Sequence, residues 1–95
     1  MAAYFIVNAR ITDPEGLARY RAAVQPSFKG REVKVLVSTD DATTIEGTPA
    51  GERAVVLEFP DRAAALDWYH SDVYQEVIGM RLASTDGFAI LVDGR

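Results

Sequence analysis

The stretch Glu58-Phe-Pro-Asp-Arg-Ala-Ala-Ala-Leu-Asp-Trp-Tyr-His-Ser-Asp-Val-Tyr-Gln-Glu-Val-Ile-Gly-Met-Arg81 decides the fold. An apolar strand, Arg53 to Phe59, runs into Pro60 and turns. Asp61 caps a helix that carries Ala65, Leu66 and Tyr69 as its buried candidates. The aromatic pair Trp68-Tyr69 ends that helix, and the only histidine, His70, sits at the junction. Ser71 caps a continuation in which Val73, Val77 and Met80 share one side and Tyr74, Ile78 and Leu82 the next.

The same reading extends to both ends of the chain. Residues 3–11 alternate, with Ala3, Phe5, Val7, Ala9 and Ile11 on one side and Tyr4, Ile6, Asn8 and Arg10 on the other, which is a strand. Asp13-Pro14-Glu15 opens a helix: Asp13 accepts from free amides, Pro14 tolerates the first position, and Glu15 suits the positive end of the dipole. Leu17, Tyr20 and Val24 form its buried stripe, and Pro26 ends it. Gly30 turns the chain into a second strand, Val33 to Thr39. A short strand-like piece is expected at Thr43 to Glu46, then a loop from Gly47 to Gly51. Asp86-Gly87 reads as a turn before a last strand, Phe88 to Val92.

The order is β-α-β-β-α-β, which predicts an α+β ferredoxin-like domain over residues 1–95, a four-stranded antiparallel sheet with both helices on one face. One set of strand side chains holds Phe5, Val7, Val35, Val55, Leu57, Phe59, Phe88 and Ile90. The other holds Tyr4, Ile6, Leu36, Val56 and Leu91. Two helices cover one face only, and a half-wet sheet should be polar on the other. The second set is too apolar for that, so a face-to-face homodimer is expected through this face, two sheets closing into a barrel.

Composition excludes several classes. Net charge is −4 and the ten basic residues are scattered, which argues against nucleic acid. No apolar run approaches the ~20 residues of a membrane span. The N-terminus lacks a basic leader, so a cytoplasmic protein is expected. There is no cysteine, which removes thiolate chemistry and Cys-ligated metals. One histidine without paired carboxylates is no metal site, so neither metal nor cofactor is expected.

The chain resembles the domain-of-unknown-function family numbered 1330 (DUF1330-like), within the dimeric α/β-barrel superfamily. The resemblance rests on Tyr4-Phe-Ile-Val-Asn-Ala-Arg-Ile-Thr-Asp-Pro-Glu15, Tyr20-Arg-Ala-Ala23, Ile45-Glu-Gly47, Glu58-Phe-Pro60, Ala64-Ala-Leu66, Trp68-Tyr69, Ser71, Tyr74-Gln75, Arg81 and Asp86-Gly87. It covers nearly everything except residues 27–44. The family usually shows a glycine-rich turn there and an asparagine in place of His70. The resemblance implies a fold and a dimer, and no single reaction. The superfamily includes cofactor-independent monooxygenases, lactone isomerases, haem enzymes and ligand-binding modules.

Candidate chemistry concentrates at the aromatic corner. Histidine is the usual general base near neutral pH, so His70 could take that role, with Tyr69 and Glu58 as further proton handlers. Its plainer reading is a solvated residue at a helix junction. Glu58 interrupts an apolar strand and calls for a cation such as Arg10 or Arg81, in an ion pair or a ligand site. Tyr20, Trp68, Tyr74 and Arg81 are the candidates for binding a small organic molecule between helices and sheet. Cofactor-independent oxidation or isomerisation is the catalytic version. The alternative is a non-catalytic interaction or structural module whose aromatics are core. A ligand-sized cavity with convergent polar groups separates the two.

Overall fold

A computed structural model describes residues 1–95. The elements are β1 (Ala3–Ile11), α1 (Pro14–Val24), β2 (Lys34–Thr39), β3 (Arg53–Phe59), α2 (Arg62–Tyr69), α3 (Asp72–Ser84) and β4 (Thr85–Asp93), with a 3-10 turn at Gln25–Phe28. The sheet order is β2-β3-β1-β4 and every pairing is antiparallel. This is the expected α+β ferredoxin-like architecture, with the third helix arising because Ser71 restarts the chain after α2.

Local chemistry explains the boundaries. The Asp13 carboxylate accepts from the Gly16 amide at 3.1 Å and starts α1. Asp61 does the same for the Ala64 amide at 2.7 Å in α2. Ser71 accepts from the Tyr74 amide at 3.2 Å and donates to the Trp68 carbonyl at 2.7 Å, so one hydroxyl closes α2 and opens α3. The alternation of β1 holds: Ala3, Phe5, Val7 and Ala9 are buried under the helices, and the residues between them reach the other face.

The aromatic corner has a different phase from the expected one. Trp68 is fully buried beside Ala65, whereas Leu66 is 41% exposed and Tyr69 half-buried. In α3 the buried stripe is Tyr74, Ile78 and Arg81, spaced i, i+4, i+7, while Val73, Met80 and Leu82 face outward. The Trp68 ring lies 4.1 Å from that of Tyr74 and 5.4 Å edge-on from Phe5, and Phe28 stacks on it at 5.6 Å.

Two expected boundaries are corrected. Thr43 to Glu46 forms no strand. Asp86-Gly87 is no turn: β4 begins at Thr85, directly after α3, and Asp86 and Gly87 pair with Arg10 and Ala9. The amides of Thr12 and Asp13 both donate to the Ser84 carbonyl, at 2.8 and 3.1 Å, so the helix end is already tied to β1 and no turn is needed. Glycine stands at position 87 because a Cβ there would lie 2.2 Å from the Asn8 carbonyl oxygen.

That early start also sets the parity of β4. Phe5 pairs with Leu91 and Ile6 with Ile90. Leu91 therefore faces the helices, and Phe88 and Ile90 face away from them, the reverse of the expected assignment. A bulge between Val35 and Val37 shifts β2 in the same sense, setting Val37 beside Val56 on the outer face. The outer face is more apolar than expected. Phe88, Ile90 and Val37 are 50%, 47% and 40% exposed there, next to Ile6 and Val56.

Candidate functional site

A cavity of about 210 Å³ lies between α1 and the helix-facing side of the sheet. Eleven of its 17 lining residues are hydrophobic. Phe5, Val7 and Leu57 supply the sheet wall, Leu17 and Val24 the wall from α1, and Trp68 and Phe28 close one side. These side chains point inward because β1 and β3 alternate with period two and α1 buries its i, i+7 stripe.

Polar groups enter this apolar space at few points. Tyr20 on α1 lines it, and its hydroxyl lies 2.9 Å from that of Tyr74 on α3. Arg81 lies two turns further along α3. Its Nε donates to the Tyr74 hydroxyl at 3.3 Å, and it lines the cavity with only 9% of its surface exposed. No carboxylate pairs with it. A buried guanidinium whose protein partner is a phenol is uncommon, because charge leaves water at a cost unless an opposite charge meets it. With Arg81 donating to Tyr74, the Tyr74 proton is free to go to Tyr20, and the Tyr20 proton to go into the cavity. Burial raises the Tyr20 hydroxyl far above its ordinary range; Tyr74 adds to this and Arg81 opposes it in part. Tyr20 therefore stays protonated.

A second cationic cluster stands at the mouth. Arg53, the first residue of β3, donates through Nη1 to Asp40 Oδ1 at 2.9 Å and through Nη2 to the Ser38 hydroxyl at 3.2 Å. Arg21 from α1 reaches the same Asp40 at 2.9 and 3.1 Å. Burial pushes the Asp40 carboxyl up, but the hydrogen bonds and charges of Arg21 and Arg53 outweigh that and hold it below its ordinary value.

The expected binding residues converge. Tyr20, Trp68 and Arg81 line the cavity, and Tyr74 sits directly behind them. The expected proton handlers do not. His70 is exposed at the junction of α2 and α3 with its ring 5.2 Å from that of Tyr69, and neither lines this cavity. Glu58 stands on the outer face of the sheet, opposite Tyr4. It accepts from the Tyr4 hydroxyl at 3.2 Å and lies 3.8 Å from Lys34, so its partners are neither Arg10 nor Arg81. Arg10 pairs instead with Asp86 at 3.3 Å, its direct cross-strand neighbour. Sequence reasoning missed Arg21, Arg53 and Asp40. Arg53 was findable, since it shares the parity of Val55, Leu57 and Phe59 and so had to face the helices.

The fold recurs in solved structures. A protein of unknown function from Rhodopseudomonas palustris superposes with a TM-score of 0.79 at 20% identity, covering 99% of this chain and 82% of that one. SnoaB, a cofactor-independent oxygenase from Streptomyces nogalater, gives 0.68 at 10% identity, with 99% and 93% covered. A dimeric ferredoxin-like protein of unknown function from Jannaschia sp. CCS1 gives 0.65 at 18% identity, with 99% and 100% covered. At these identities the likeness is one of fold. No curated protein matches the sequence. No helix is long and apolar enough to cross a membrane, and no cluster of metal-ligating side chains is present. The model of the domain-of-unknown-function family DUF1330 matches residues 2–95, and the chain belongs to that family.

Proposed function

We propose that the protein binds a small organic acid in the cavity between α1 and the sheet, its apolar body against Trp68, Phe5 and Leu57 and its anionic oxygen against Arg81 and Tyr20. The observation that carries this reading is Arg81: a buried guanidinium that lines an apolar cavity and has no carboxylate partner. A ligand's negative charge meets that need.

The site holds donors and no base. Tyr20 stays protonated, and His70 and Glu58 face elsewhere. That favours binding over proton abstraction. Cofactor-independent oxidation is supported only for a molecule that ionises by itself near neutral pH and whose anion Arg81 then holds; the shared fold of SnoaB is compatible with it.

The working form is proposed as a cytoplasmic homodimer built on the outer sheet face. Phe88, Ile90, Ile6, Val37 and Val56 form the apolar patch that supports it, and a related fold is dimeric.

Trp68 is the only tryptophan and lines the cavity, so it reports on occupancy. Benzoate should change its fluorescence and raise the melting temperature, while neutral benzamide should do so far less. Arg81→Met should erase that preference. Equal responses to benzoate and benzamide, or none to either, would sink the reading and leave a structural module.

A further inference from the structure

The charge of the ligand, on the binding reading above, is set by the cations that line the cavity. Three guanidiniums line the cavity, those of Arg21, Arg53 and Arg81, and none of the lining residues is acidic. This is unexpected in a protein of net charge −4. The one carboxylate within reach is Asp40, just outside the lining, and it serves two of the three. Its Oδ1 accepts at 2.9 Å from both Arg21 and Arg53.

The two clusters differ in what they lack. At the inner end Arg81 has a phenol and no counter-charge. At the mouth Arg53 is the demanding group, because its side chain is 10% exposed and its share of Asp40 is divided with Arg21. Asp40 itself is half-exposed at the end of β2. Solvent can take over that carboxylate if another anion takes over Arg53. The cavity therefore offers one cation with no counter-charge, Arg81, and a second, Arg53, whose only carboxylate is half-exposed and shared with Arg21.

We propose that the ligand is a small organic dianion, a dicarboxylate or a carboxylate with a second ionised oxygen, which bridges Arg81 and Arg53 while its carbon body lies on Trp68. Asp40 stands in for the outer acid group when the cavity is empty. A guanidinium fork suits each carboxylate, because two parallel N–H donors match its two oxygens. The apolar lining from Phe5, Leu57 and Trp68 selects against free inorganic anions, which gain nothing from it.

The test is a titration at low ionic strength with straight-chain dicarboxylates from succinate to suberate, each against the monocarboxylate of equal carbon number. Trp68 fluorescence and calorimetry supply the readouts. One dicarboxylate length should bind about tenfold tighter than its monoacid, the gain expected from a second paired charge. Arg53→Met should bring the affinity of that dicarboxylate down to about that of its monoacid. Asp40→Asn should tighten the dicarboxylate and not the monoacid. Monoacids binding as well as every diacid would overturn the inference and leave the binding of a monoanion standing. Binding by neither class would overturn both.

Discussion

Replacing Arg81 by methionine should make the unliganded protein more stable. Three effects compete. The variant loses the 3.3 Å hydrogen bond from Nε to the Tyr74 hydroxyl. Hydrogen bonds to charged groups contribute ~1.5–3 kcal/mol, and this one belongs at the low end because it is long and Tyr74 keeps Tyr20 at 2.9 Å. The packing of the aliphatic stem is largely retained, since methionine follows a similar course. Against these stands relief of the desolvation penalty on an ion with no counter-charge, several kcal/mol for a fully buried one and less here because the guanidinium borders a cavity. The balance is a gain of about 1–2 kcal/mol. For a chain of this size that is a rise in melting temperature of about 5–15 °C. Thermal and urea unfolding at pH 7, followed by circular dichroism at one fixed protein concentration, measures it. Arg81→Ala, which also removes the stem, should be less stable than the methionine variant. A loss of 1 kcal/mol or more in Arg81→Met would show that the guanidinium is a structural tie, and the argument for an anionic ligand would lose its basis.

Two other perturbations address the assembly and the mouth of the cavity. Val56→Glu places a carboxylate among Ile6, Val37 and Ile90 on the outer face, so it should convert a dimer with an interface of about 1,600 Å² to monomer or aggregate; a wild-type mass of 10.4 kDa by light scattering at micromolar concentration would refute the dimer. Asp40 has its carboxyl held below the ordinary value of 3.8, so its contribution to stability is complete above that pH and is lost as pH falls through the lower, folded value. Asp40→Asn should flatten that part of the acid-side stability curve, and an unchanged acid slope would show that the bridge to Arg21 and Arg53 does not hold in solution.

How much of this was legible in the sequence follows from how each residue is constrained. The period-two pattern of β1 was legible because its buried positions Ala3, Phe5, Val7 and Ala9 are all apolar while Asn8 and Arg10 mark the other face. The three caps were legible because Asp13, Asp61 and Ser71 each stand three residues before the amide they satisfy. The phase of α2 was not. A helix of eight residues containing Ala63, Ala64 and Ala65 offers too little contrast to choose between Leu66 and Trp68, and the choice is made by Phe5 and Phe28 from elsewhere in the chain. The start of β4 was hidden for another reason. Asp-Gly has the chemistry of a turn, and only the long-range pairing of Asp86 with Arg10 and of Gly87 with Ala9 shows it to be strand. The tyrosine–arginine group was suggested by residue type, but the cluster of Arg21, Arg53 and Asp40 comes from three elements and has no local signature.

The cavity and the exposed apolar face of this chain share one wall. Phe5, Val7 and Leu57 face the cavity, and the residues that alternate with them, Ile6 and Val56, belong to the exposed apolar face. Only 17 of 95 residues are buried, which is a small core for a sheet with one face open. A partner covering the outer face would add apolar burial to β1, β3 and β4 from one side. A ligand in the cavity would add charge compensation and contact from the other. Each strand residue then gains from one event or the other according to its parity alone. If both proposals hold, the same alternation that specifies the fold would divide assembly from recognition, residue by residue, along β1 and β3.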